Sequence, residues 1–73
     1  MSGETPGSAD FREVFESLFV AGYQVAIRIL GDAAEAEDIA AEAAARAHDR
    51  WRRVGGMPSP TGWVVRVATN LAI

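Results

Sequence analysis

The chain has 73 residues, a formal net charge of −3 and no cysteine. That length allows one small domain, near the limit at which a single hydrophobic core suffices. With no cysteine and His48 as its one histidine, the sequence excludes a disulfide framework and argues against a Cys/His zinc site, so no metal and no cofactor is expected.

Taken in order, Met1 to Ala9 is rich in Gly, Ser, Thr and Pro, and reads as a disordered tail with nothing to bury. It has no charged segment leading into an apolar run, and no apolar stretch approaches a bilayer span. A soluble, cytoplasmic protein without membrane contact is expected. A first helix over about 10–30 follows, in which Phe11, Val14, Phe15, Leu18, Gly22, Val25, Ala26 and Ile29 recur at helical spacing, with Asp10 as its N-cap. Phe19, Tyr23, Ile27 and Leu30 widen the apolar arc, so this helix should pack against more than one neighbour. Gly22 lies mid-face, where a missing side chain permits close approach of another helix, at a propensity cost of about 1 kcal/mol. The aromatic residues read as core.

The short turn at Gly31-Asp32 makes the second helix, about 32–54, an antiparallel neighbour of the first. Ala, Glu and Arg dominate it, residues that lose little entropy on becoming helical. Asp32 can cap it, Glu35 three residues on can complete a capping box, and acidic residues suit its positive end while arginines gather toward the other. At about 100° per residue, Ala36, Ala40, Ala43, Ala44, Ala47 and Trp51 share one stripe, a small-residue core face. Asp38, Ala41, Glu42, Ala45, Asp49 and Arg52 share the opposite one. Asp38 and Glu42 are a like-charge i,i+4 pair, mildly unfavourable in isolation and unobstructed by the alanines between them. That suits a docking surface; the alternative is a solvated face with Glu42–Arg46 and Asp49–Arg53 as ordinary i,i+4 pairs.

Val54 to Ser59 is a breaker-rich loop, with Gly55 suited to ending the second helix. Ser59-Pro60 reads as N-cap and first residue of a third helix, about 60–73, with Val64, Val67, Ala68 and Leu71 as its apolar stripe. Arg66, Thr69 and Asn70 project elsewhere, and Trp63 sits on the border; a large aromatic at a helix start usually packs inward. The helical pattern is still running at Ile73, as in a fragment of a longer chain. The expected class is all-α, a three-helix bundle over residues 10–73. No nucleophile–base pair, metal cluster or Gly-rich phosphate loop suggests an enzyme, since Gly55-Gly56 alone is a helix stop.

Three stretches carry a family resemblance: Asp10 to Ala26, then LGDAAEAEDIAAEAAARAHDRW, then PTGWVVRVATNLAI after the loop. Together they resemble region 2 of an extracytoplasmic-function (group IV) sigma factor of bacterial RNA polymerase. The third is the most specific, with a helix-opening proline followed by Trp63, Arg66, Ala68 and Asn70 at family intervals. The resemblance implies a sigma-70 region 2 bundle that binds core RNA polymerase through the clamp helices of its largest subunit, and helps recognise and open the promoter minus-ten element as single-stranded DNA. It implies that Asp38 and Glu42 match the acidic docking positions and Arg46 the basic one, on a face that includes Ala41, Ala45 and Asp49. It further implies that Asn70 matches a base-contacting position and that Val54 to Ser59 match the loop holding an extruded base. Val54 or Met57 would then be an apolar wall, Arg66 a phosphate contact, and Thr69 a neighbour on the same face. An anti-sigma factor is a possible further partner.

The sequence departs from the family at three places. Ala41 replaces a usual Gln, Ala44 a large apolar residue, and His48 a frequent Trp, which predicts a weaker docking face and a lighter core compensated by Trp51 or the aromatic first helix. His48 reads as a half-buried helix-flank residue. The resemblance also predicts truncation before region 4, with apolar surface left bare for self-association. Two rivals remain: a helical protein-interaction fragment, and a helix-turn-helix regulator suggested by LFVAGY. The second is weakened by a following helix about 20 residues long and acidic at its start.

Overall fold

The computed structural model describes residues 6–73; the expected tail falls outside them at residues 1–5. Four helices follow one another: α1 (Pro6–Leu30), α2 (Ala33–Asp49), α3 (Trp51–Val54) and α4 (Pro60–Ala72), with no strand among the described residues. The all-α class is as expected. The first helix begins earlier than expected, at Pro6, so residues 6–9 are helical and Asp10 lies inside α1 instead of capping it. Proline's fixed φ and missing N–H suit a first helical position and let the helix start ahead of the aspartate. At about 1.5 Å per residue α1 is roughly 37 Å long, most of the molecule's 45 Å long axis. It packs against both α2 and α4, which also meet each other.

Gly31, at φ 69°, turns the chain out of α1 in the left-handed region that glycine tolerates best, and its N–H donates to the Ile27 carbonyl at 2.9 Å. Asp32 then caps α2 as expected, its Oδ1 accepting from the Glu35 N–H at 2.9 Å. Inward, Ala36, Ala40, Ala43, Ala44 and Ala47 are all buried, as the stripe predicts.

The single long helix expected over 32–54 is broken. Arg50 leaves the helical region at φ −114° and ψ 25°, and its N–H is shared between the carbonyls of Arg46 and Ala47, each at 3.2 Å. His48 and Asp49 are weak helix formers, and an aspartate at a helix C-terminus opposes the dipole, so the ladder ends where continuing it gains least. The step turns α3 onto α1. Trp51 is buried with its ring 5.3 Å from Phe11 in an edge-on arrangement, the compensation expected for the alanine at position 44. The same break separates Asp49 from Arg53, so the i,i+4 pair expected there is not formed among the described residues.

Leu18, Val54 and Val64 are the largest fully buried side chains, joined in the core by Phe11, Trp51 and Ala68. Phe15 and Ile29, expected on the inner face of α1, are exposed at 44% and 43%. The apolar arc of α1 is wider than α2 and α4 together cover, and the side bearing Leu18, Gly22 and Ala26 is the one they take. His48 is exposed, not half-buried, with its ring 4.8 Å from that of Phe11.

Candidate functional site

The outward face of α2 follows from its inward one. With the alanine stripe buried, Asp38, Ala41, Glu42, Ala45 and Asp49 are all exposed on the far side, with Arg46 beside them. Glu42 does not stand free. Its Oε2 accepts from Arg46 Nε at 3.0 Å, the expected i,i+4 pair and the only ion pair among the described residues. Both partners are about half exposed, so the pair contributes only about 0.3–0.5 kcal/mol and yields readily to another cation. Asp38, a turn earlier, has no ion-pair or hydrogen-bond partner among the described residues. On its other flank a shallow concavity of about 300 Å³ is floored by Leu30, Ile39 and Leu71 and edged by Glu35.

The second constellation is built by the segment between α3 and α4. The Met57 N–H donates to the Val54 carbonyl at 3.0 Å, holding the loop against α3. At its far end Ser59 caps α4 as expected, its Oγ accepting from the Gly62 N–H at 2.9 Å, with Pro60 in the first turn. Met57, Pro58, Ser59, Gly62, Trp63 and Arg66 line an open concavity of about 440 Å³. Trp63 packs inward as expected, half-buried against the core, and also lines this concavity. Asn70 is exposed one turn, about 6 Å, beyond Arg66 along α4, without a hydrogen-bond partner among the described residues.

Two candidates for this constellation are placed elsewhere. Val54 is 0% exposed, so it has no surface to offer a base, and its role as a wall is corrected to that of a core residue. Thr69 is half-buried and its Oγ1 donates to the Val65 carbonyl at 2.7 Å, which commits its proton to the helix. Gly62, which the sequence does not single out, borders the concavity because a helix capped at Ser59 brings its third residue back over the cap. Arg50, Arg52 and Arg53 are exposed on and beside α3.

A separate groove of about 400 Å³ lies on the α1 side of the same loop, bounded by Val14, Leu18 and Trp51 on one side and by Gly55, Pro60 and Thr61 on the other. Among the described residues no cluster of three or more His, Cys, Asp or Glu side chains could hold a metal, and no helix is long and apolar enough to cross a membrane.

Neither the curated proteins nor the solved structures compared with this chain give a significant match. A family model described as Sigma-70 region 2 does, over residues 15–73, from within α1 to the last residue. That span holds the acidic face of α2, the loop and all of α4, and it covers well over half of the chain: the protein belongs to the sigma-70 region 2 family.

Proposed function

We propose that this domain docks on the clamp helices of the largest RNA polymerase subunit through the outward face of α2, and holds the non-template strand of the promoter minus-ten element at the loop before α4. Sigma-70 region 2 domains serve core polymerase binding and promoter melting, and membership of the family carries both in general form. The assignment to particular residues rests on one observation: the carboxylate of Asp38 is exposed and unpartnered among the described residues, on a helix whose opposite face is wholly buried. A basic partner surface would complete it, and could exchange with Arg46 for Glu42. Such contacts orient an encounter and raise its rate more than they add affinity.

On the promoter side, a melted strand needs a surface for an unstacked base, a cation for phosphate and an amide to read a base edge. Met57 and Trp63 supply the first, Arg66 the second and Asn70 the third. The group IV assignment and a cytoplasmic location accompany this reading, and an anti-sigma factor would have to cover the same acidic face to block docking. The test is a titration of the chain with the clamp-helix segment of a bacterial polymerase at several salt concentrations. Saturable binding is expected, weakened by about tenfold or more by Asp38→Arg with helical content unchanged. Binding indifferent to that substitution would remove Asp38 from the docking surface.

A further inference from the structure

The loop that walls the 440 Å³ concavity is tied by hydrogen bonds to α3 and to α4, with none to α1 among the described residues. At the α4 end the tie is the Ser59 cap, with the Trp63 N–H also donating to the Ser59 carbonyl at 3.1 Å. At the α3 end the chain unrolls one hydrogen bond at a time: the Gly55 N–H donates to Trp51 O at 2.8 Å, Gly56 to Arg53 O at 3.2 Å and Met57 to Val54 O at 3.0 Å. Behind the loop, toward α1, is the open groove of about 400 Å³ rather than packed side chains. The position of Met57 therefore depends on where Gly55 is held.

Gly55 is hydrogen-bonded to the Trp51 carbonyl and lies beside the Trp51 indole. Its backbone, at φ −64° and ψ −22°, would suit any residue, so the requirement for glycine is one of space. A methyl group there would stand 2.8 Å from Cε2 of Trp51, 3.1 Å from Nε1 and 2.9 Å from the Trp51 carbonyl oxygen. The indole is buried and braced edge-on against Phe11 at 5.3 Å, with the 400 Å³ groove along its other border.

We propose that Trp51 is a positioning residue for single-strand binding: braced by Phe11 on α1, it sets the take-off of the loop at Gly55 and thereby the width of the concavity between Met57 and Trp63. This rests on the strand-binding role of that concavity. It gives the interior of the bundle a part in recognition, although Trp51 does not line the concavity itself. The contact is local to the α3–α4 junction, so disturbing it should spare the acidic face of α2.

The experiment compares the wild-type chain, Gly55→Ala, Trp51→Leu and the double variant. The probe is a fluorescein-labelled single-stranded DNA oligonucleotide selected from a random pool on the wild-type chain; the clamp-helix segment is titrated in parallel. Gly55→Ala is expected to weaken oligonucleotide binding by about tenfold, the equivalent of one stacked base, with clamp-segment binding unchanged. Trp51→Leu removes Cε2 and Nε1, the indole atoms nearest Gly55, so adding Gly55→Ala to it should cost less than adding it to wild type. Equal oligonucleotide binding by Gly55→Ala and wild type overturns the proposal, as does a parallel loss of both activities or a loss that Trp51→Leu does not reduce. If wild type selects no oligonucleotide, the strand-binding reading fails and takes the functional claim with it. Backbone amide resonances then show whether the mechanical link stands alone: Gly55→Ala should shift residues 55–63 and leave 33–45 in place.

Discussion

Gly22 of α1 faces Val64 of α4 with room for one methyl group and no more: a Cβ on the glycine would lie 3.5 Å from Val64 Cγ1, 3.5 Å from Ala40 Cα and 3.7 Å from Ala68 Cβ. These are ordinary van der Waals separations at the point where α1, α2 and α4 meet. Gly22→Ala should therefore be tolerated and should raise stability by up to about 1 kcal/mol through helix propensity alone. Gly22→Leu has no such space and should cost about 1–3 kcal/mol by overpacking. Urea unfolding midpoints of the two variants check both signs, and destabilisation by alanine would mean that the three helices leave no room for a methyl group at Gly22.

The cap at Asp32 invites a second comparison. Its Oδ1 satisfies the Glu35 N–H, but among the described residues Glu35 does not return the bond that would complete a capping box. Asp32→Ala should accordingly cost about 1 kcal/mol, as loss of one capping bond. Glu35→Ala should cost only a few tenths, from the helix dipole. Thermal unfolding of the two variants separates a single cap from a reciprocal one.

Asn70 is exposed with its amide uncommitted among the described residues, whereas Thr69 beside it donates its proton to Val65. If Asn70 reads a base edge, Asn70→Ala should weaken binding to the preferred strand by about 1–3 kcal/mol and leave the other sequences nearly unaffected. A uniform loss across sequences would instead assign it to backbone contact.

What was legible in the sequence was what depends on near neighbours along the chain. The caps at Asp32 and Ser59, the stop at Gly31 and the buried alanine stripe of α2 each follow from chemistry or periodicity within one or two turns. The break at Arg50 was not legible, because Ala, Glu and Arg hide the weak point at His48-Asp49 until α1 supplies Phe11 for Trp51 to meet. Val54 was misread for a related reason: it adjoins a loop in sequence, but the turn of α3 carries it inward. Phe15 and Ile29 share the periodicity of Leu18, and only the number of helices lying on α1 decides which apolar residues remain outside. Asp38, Glu42 and Asn70 could be nominated from the sequence, while the concavity needed the fold, since its lining comes from a loop and a helix start that close on each other in space.

The alanine face of α2 has a consequence for how the domain comes apart. Ala36, Ala40, Ala43, Ala44 and Ala47 lose no rotamer freedom on burial, so this interface forms without the side-chain entropy cost that leucines or methionines would carry. Each also removes little apolar area from water, and the heat-capacity change on unfolding scales with that area. The heat-capacity change of unfolding therefore comes mainly from Phe11, Leu18, Trp51, Val54 and Val64, and separating α2 is costly through the larger apolar side chains clustered with Ala43 and Ala47 that it uncovers.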